Sequence, residues 1–153
     1  ASWIYFDPLA RARADAQKKG VADRVEFQHA SATALPTSRK FDVITSFDAI
    51  HDMVDPRGAL RSIRHALADD GTYFMVEPKA GDTLAENMGP MGALTYSMST
   101  LHCMTVSLAH GGEGIGTAIG PTKIRELAEQ GGFTRVRRLP IEHLAQAFYE
   151  IRP

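Results

Sequence analysis

Residues 41–52 read FDVITSFDAIHD. Phe41 to Thr45 is mostly apolar, as a strand buried on both faces of a parallel sheet should be. The chain then turns through Asp48, His51 and Asp52. Asp55-Pro56 follows as a strong helix start, with an aspartate to cap and a proline in the first turn. Leu60, Ile63 and Leu67 give that helix one apolar face at spacings of three and four. Asp69-Asp70-Gly71 predicts a turn into another strand, Thr72 to Glu77, which ends in VEP at Val76 to Pro78. In open α/β sheets, ligands sit outside the carboxyl ends of the strands. The spacing therefore sets His51 and Glu77 where chemistry would occur.

Upstream, Trp3 to Phe6 reads as a short strand ending at Asp7-Pro8. An Ala/Arg/Lys-rich helix runs from about Leu9 to Lys19 and stops at Gly20, a residue suited to a left-handed cap. Val25 to Gln28 alternates apolar and polar and predicts a further strand. Downstream, residues 80–120 form a long insertion with no predicted strand. Its middle, Leu94 to Ala109, reads as helix and carries Met98, Leu101, Met104 and Leu108 at helical spacings. Pro121 opens another helix, with Ile124, Leu127 and Ala128 facing inward and Gly131-Gly132 closing it. Phe133 to Leu139 and Ala145 to Ile151 predict a final antiparallel pair. Strand–helix alternation of this kind specifies α/β architecture.

The chain of 153 residues has room for one compact domain with a core. Its 44% hydrophobic and 23% charged residues are those of a soluble globular protein. A net charge of -1 offers no electrostatic case for nucleic acid or an anionic membrane. Arg135, Arg137 and Arg138 are expected on the solvated side of an edge strand. One cysteine, Cys103, rules out an internal disulfide framework and suits a reducing cytoplasm. No apolar run reaches membrane-spanning length.

The order of these landmarks resembles the class I S-adenosylmethionine-dependent methyltransferases over essentially the whole chain. The likeness is most specific in FDAIHD, in DDG before the fourth strand, and in the tail GGFTRVRRL…AFYEIRP. STLHCMTVSLAHGGEGIGTAIG further resembles a bacterial subgroup whose methyltransferase domain follows a winged-helix domain. The implied fold is a Rossmann-like sheet with an antiparallel carboxyl-terminal hairpin. The family's first strand and glycine-rich turn have no counterpart in this sequence. A partial methyltransferase domain is therefore expected over 1–153, with a substrate lid at 80–120. Dimerisation is one way in which the sheet edge so exposed would be covered.

The resemblance implies S-adenosylmethionine as cofactor and a small molecule, most simply a hydroxyl compound, as methyl acceptor. Asp7, ending a strand, is expected to accept the ribose hydroxyls, with helix capping as the competing role. Ser31 and Ala32 match the positions that hold adenine, although the usual acid there is replaced by serine, which lacks charge. Phe47 and Met53 match cofactor-lining positions, against ordinary core packing. His51 matches the general base of small-molecule O-methyltransferases, and Glu77 the acid that orients it. An imidazole suits this work because its unperturbed pKa of about 6.5 lets it accept a proton near neutrality. Met98 and His102, on the insertion, are expected in the acceptor pocket.

Three rivals stay in view. His102-Cys103 and His110 invite a metal, but adjacent ligands chelate poorly and no second ligand pair stands at metal-site spacing, so no metal is expected. Gly114-x-Gly116-x-x-x-Gly120 imitates a dinucleotide fingerprint, but the segment before it is helical rather than a strand. The remaining alternative is a regulatory module that binds cofactor or metabolite without transferring a methyl group.

Overall fold

A carboxylate one residue ahead of a proline starts the helix that anchors the sheet. Asp55 Oδ1 accepts from Gly58 N–H at 2.7 Å, and Pro56 takes the first helical position, where no N–H is needed. In the computed structural model, which describes residues 8–35 and 38–153, the chain divides into two compact units, Ala1–Ser31 and Ala32–Pro153.

The first unit contains helix α1 (Pro8–Lys18). It closes as the sequence predicts. Gly20 has φ 65°, its N–H donates to Gln17, and Val21 N–H reaches back to Ala16, each at 3.0 Å. This pair of bonds is a Schellman cap. The strand expected at Trp3 to Phe6 lies outside the described residues. The one expected at Val25 to Gln28 does not form. Alternation sets which side chains share a face, but a strand also needs a neighbouring ladder, and no ladder pairs with these residues among those described.

The second unit is a four-stranded mixed sheet with helices from the intervening segments. β1 (Phe41–Phe47) runs parallel to β2 (Leu67–Pro78) across α2 (Pro56–Ala66). After the insertion, α5 (Pro121–Gln130) leads to β3 (Arg135–Arg138) and β4 (Gln146–Arg152). β4 lies between β2 and β3, antiparallel to both, so the sheet order is β1-β2-β4-β3. The expected hairpin is thus present. Asp69-Asp70-Gly71 does not form a separate turn. Phe41 pairs with Leu67 and Val43 with Thr72, so DDG bulges out of β2 before the regular ladder begins.

One face of the sheet makes the core. Tyr73, Met75, Tyr149 and Ile151 pack there with Leu60 and Ile63 of α2 and Ile124, Leu127 and Ala128 of α5. Tyr73 also shares a 2.6 Å hydrogen bond with Ser46, which satisfies its buried hydroxyl. On the opposite face Phe47, Phe74 and Phe148 form an aromatic run, and Phe47 and Val43 are exposed. Arg135, Arg137 and Arg138 are solvated on edge strand β3, where Arg137 pairs with Glu150.

The insertion holds α3 (Pro90–Met98) and α4 (Met104–Ala109), joined by a π-helical turn at Ser99–Cys103. Helix is present where predicted. Met98, Leu101 and Leu108 are exposed, while Ser99, Cys103 and Ser107 are buried. Ser107 Oγ donates to the Met53 carbonyl at 3.1 Å, and Ser99 Oγ accepts from Thr117 N–H at 3.1 Å. These bonds need a close approach that longer side chains would prevent. Gly116 answers from the facing loop, with φ 76° and a position where a Cβ would lie 2.1 Å from Ser99 Oγ. Gly116 of the apparent fingerprint therefore serves close packing against the insertion here.

Asp55→Ala removes the α2 cap and should lower unfolding free energy by about 1 kcal/mol. Urea denaturation would measure it; a midpoint unchanged from the parent would show that the cap adds nothing.

Candidate active site

β1 and β2 end side by side, and their carboxyl ends assemble the site. Phe47 pairs with Val76, and Asp48 N–H extends the ladder by donating to the Val76 carbonyl at 2.9 Å. Asp48 then takes φ 53°, a left-handed conformation that aspartate tolerates better than most residues. That reversal turns the chain into a short 3-10 turn, Ile50–Asp52. Ile50 enters the core at 1% exposure, and His51 follows it inward at 3%.

Glu77 fixes this turn from below. It is fully buried. Its Oε1 accepts from Ile50 N–H at 2.8 Å and from Ala49 N–H at 3.3 Å. Its Oε2 lies 2.5 Å from His51 Nδ1. A carboxylate accepts only, so Nδ1 carries a proton, and in the neutral imidazole Nε2 is left with its lone pair. Nε2 sits 3.3 Å from Asp52 Oδ1. Burial pulls the His51 pKa down. The hydrogen bond and charge of Glu77, helped by Asp52 and Asp48, outweigh it, and the net value stands above 6.5.

A cavity of about 390 Å³ opens beside this pair. Asp48, His51, Asp52 and Lys79 supply its polar wall, and Met98 and His102 come from the insertion. Its mouth adds Met91, Leu94 and Leu144, all substantially exposed. A larger cavity of about 520 Å³ shares Lys79, Met91 and Leu144 but contains no histidine. The smaller one, which holds the imidazole, is the better candidate for chemistry.

Four expected residues thus converge: His51 and Glu77 in contact, with Met98 and His102 on the same cavity. Others stand apart. Phe47 projects to the aromatic face, edge-on to Phe74 at 6.5 Å. Met53 is half-buried against the core. Ser31 is exposed and closes the first unit, whereas Ala32 opens a 3-10 turn at the start of the second. Asp7 lies outside the described residues. Lys79, Leu144 and Gln146 also line the cavity and were not anticipated. Their signal would have been the register of the hairpin, which sets the start of β4 beside the end of β2.

A family model described as a methyltransferase domain matches residues 7–138. The chain belongs to this family. Among curated proteins it resembles the uncharacterized methyltransferase YcgJ of Bacillus subtilis, 40% identical over 63 residues, covering 40% of this chain and 24% of that protein. Among solved structures it resembles mitomycin 7-O-methyltransferase, with TM-score 0.72, 23% identity, and coverage of 94% of this chain and 38% of that one. A second is an O-methyltransferase of neocarzinostatin biosynthesis, with TM-score 0.67, 22% identity and coverage of 95% and 39%. A third is an O-methyltransferase family 2 protein from Planctomyces limnophilus, with TM-score 0.66, 18% identity and coverage of 94% and 39%. These likenesses establish the Rossmann-like methyltransferase fold. The methyltransferase-domain chain spans about two fifths of the length of those structures.

Because the folded-state pKa of His51 is raised, its protonation stabilises the fold below about pH 6.5. That contribution disappears as pH rises through the folded value. Glu77→Gln keeps an acceptor for Ile50 N–H but removes the charge, so His51 should titrate lower. Imidazole NMR titration reads this directly; an unmoved His51 would mean that Glu77 does not set its pKa.

Proposed function

We propose that this chain carries the acceptor side of a methyltransferase that moves a methyl group from S-adenosylmethionine to the hydroxyl of a small aromatic compound. One observation carries the reading above all: a buried histidine, oriented by a fully buried glutamate, opens on a cavity with an apolar mouth. A volume near 390 Å³ suits a small, mostly planar acceptor. Met91, Leu94, Met98 and Leu144 would hold its rings, leaving the polar wall for its hydroxyl. Residues 80–120 then act as the lid. The neocarzinostatin enzyme was solved with S-adenosyl-L-homocysteine and 1,4-dihydroxy-2-naphthoic acid, and the Planctomyces protein with apigenin, which supports a phenolic acceptor by analogy.

S-adenosylmethionine supplies an electrophilic methyl carbon bound to a sulfonium. The exposed ring of Phe47, at the carboxyl end of β1, fits the part of a cover for adenine. Met53 fits packing better, since it lies against the core. Asp7, Ser31 and Ala32 keep their proposed nucleoside contacts.

In the transfer, the acceptor oxygen would take the methyl group as its bond to the sulfonium sulfur breaks, leaving the neutral thioether, while the oxygen's proton would pass to His51 Nε2. Glu77 holds Nδ1–H throughout, which fixes the tautomer and stabilises the imidazolium that results. Lys79 adds positive charge on the same wall. The sulfonium is already activated, so positioning provides much of the rate and the base adds to it.

Transfer of labelled methyl to a panel of phenols by the full-length protein tests the proposal. His51→Ala should reduce kcat by ~100-fold or more while cofactor affinity stays nearly constant. In the parent, kcat/KM should climb with pH and level off above an inflection higher than 6.5, the point at which Nε2 becomes free to accept. Full activity in the alanine variant would reduce His51 to scaffold, and tight cofactor binding without any transfer would favour the regulatory reading.

A further inference from the structure

Cys103 is separated from His51 and Asp52 by the whole of α2, β2 and α3, yet the fold sets all three together. One ligand atom of each lies within 4.8 Å of the other two. Two are deeply buried: His51 is 3% exposed and Cys103 is 6% exposed. Asp52 is half-buried, but its Oδ1 is shielded from solvent and has no aligned hydrogen-bond donor. That oxygen points at His51 Nε2 from 3.3 Å, two electron-rich atoms with nothing between them when the imidazole holds its proton on Nδ1.

We propose that His51 Nε2, Asp52 Oδ1 and Cys103 Sγ form a binding site for a borderline-soft divalent cation of the zinc class, and that its occupation shuts off the proposed base. Nitrogen, carboxylate oxygen and thiolate sulfur are the donors such an ion prefers, at bond lengths of about 2.0–2.3 Å. Tetrahedral angles at those lengths put donors about 3.3–3.8 Å apart. The observed Nε2–Oδ1 separation already meets this, and the 4.8 Å bound leaves Cys103 a short approach.

The surroundings are those of a metal site as well. Glu77 on Nδ1 is the carboxylate that orients a metal-bound imidazole and raises its basicity. Thr117 Oγ1 lies 2.9 Å from Cys103 Sγ, where its hydroxyl donates to the sulfur. Asp48, Asp52 and Glu77 keep the local charge negative. Three protein donors leave a fourth position for water or an acceptor oxygen. The π-turn at Ser99–Cys103 shapes the lid helix where Cys103 faces the other two donors. His102 is not required, so the argument against adjacent His-Cys chelation does not apply.

Binding releases the thiol proton to solvent, and the thiolate, carboxylate and Nε2 lone pairs enter the metal bonds; nothing is oxidised or reduced. Because the thiol must lose its proton to bind, affinity should increase with pH. An ion on Nε2 occupies the lone pair that would take the acceptor's proton. The inhibitory consequence rests on the methyltransferase reading; the binding does not.

Cobalt(II) titration of the full-length protein separates the two. A thiolate-to-cobalt charge-transfer band should grow to saturation at one ion per chain and be absent in Cys103→Ser, a nearly isosteric change. Zinc should stop methyl transfer in the parent, and a chelator should restore it. Measured against its own metal-free rate, Cys103→Ser should need at least the ~10–100-fold more zinc that even an outer-shell defect costs. No band, or a band that survives Cys103→Ser, overturns the site. A Cys103-dependent band with undiminished transfer overturns the shut-off. Protein that gives the Cys103-dependent band with cobalt but, when free of metal, transfers no methyl to any phenol faults the methyltransferase reading and leaves the site standing.

Discussion

A fully buried carboxylate with every strong partner in place is the constraint from which this site follows. Taking Glu77 out of water costs several kcal/mol unless its oxygens are satisfied. Two backbone amides and one imidazole satisfy them. The same three bonds determine where the chain goes after β1, because Ala49, Ile50 and His51 can reach one carboxylate only if they fold back over the end of β2. Asp48 accepts left-handed geometry to make that possible. The tautomer of His51, the path of the turn and the position of its free nitrogen are thus one structural fact.

The helical insertion is held by a different device. A helix seated on the core by leucine and methionine would stand off the underlying loop by the length of those side chains. Ser99, Cys103 and Ser107 instead bring its backbone close, and each polar atom finds a partner: Thr117 N–H, Thr117 Oγ1 and the Met53 carbonyl. The large apolar residues are then displaced outward, where Met98 and Leu94 reach the cavity mouth. Met53 links the two devices. Its carbonyl receives α4 one residue beyond the turn that Glu77 organises, so this helix is pinned to the His51 turn itself.

How much could be read in advance follows from the range of each interaction. The strand–turn–helix at Phe41 to Ala66 was legible because Asp55, Pro56 and the apolar spacing of Leu60 and Ile63 act within a turn or two. The antiparallel hairpin was legible by resemblance, and its register was not. Hence Gln146 and Leu144 at the cavity came as additions. Val25 to Gln28 misled because period-two alternation says nothing about whether a partner strand exists. The insertion was legible as helix, but which residues it buries was not, because packing was decided by hydrogen-bonding serines whose partners, Met53 and Thr117, lie outside it in sequence or on its far loop. Ser31 and Ala32 were legible only as positions in a family pattern.

The arrangement around His51 also carries a tension that one role does not resolve. A general base works best when its pKa is near the working pH, yet three carboxylates around this imidazole raise it. Glu77 is needed to orient the ring. Asp52 is not, and its buried Oδ1 stands against the very nitrogen that must stay free. For proton transfer alone, an amide or hydroxyl there would serve with less repulsion of the deprotonated acceptor. An acceptor-only oxygen beside a lone pair and a thiol is better matched to a cation than to a phenolate. If the ion is part of the protein's working cycle, Asp52 and Cys103 belong to its control, while Glu77 and His51 belong to the proposed proton transfer. The two pairs share one nitrogen, so the site cannot hold a metal and accept a proton at once.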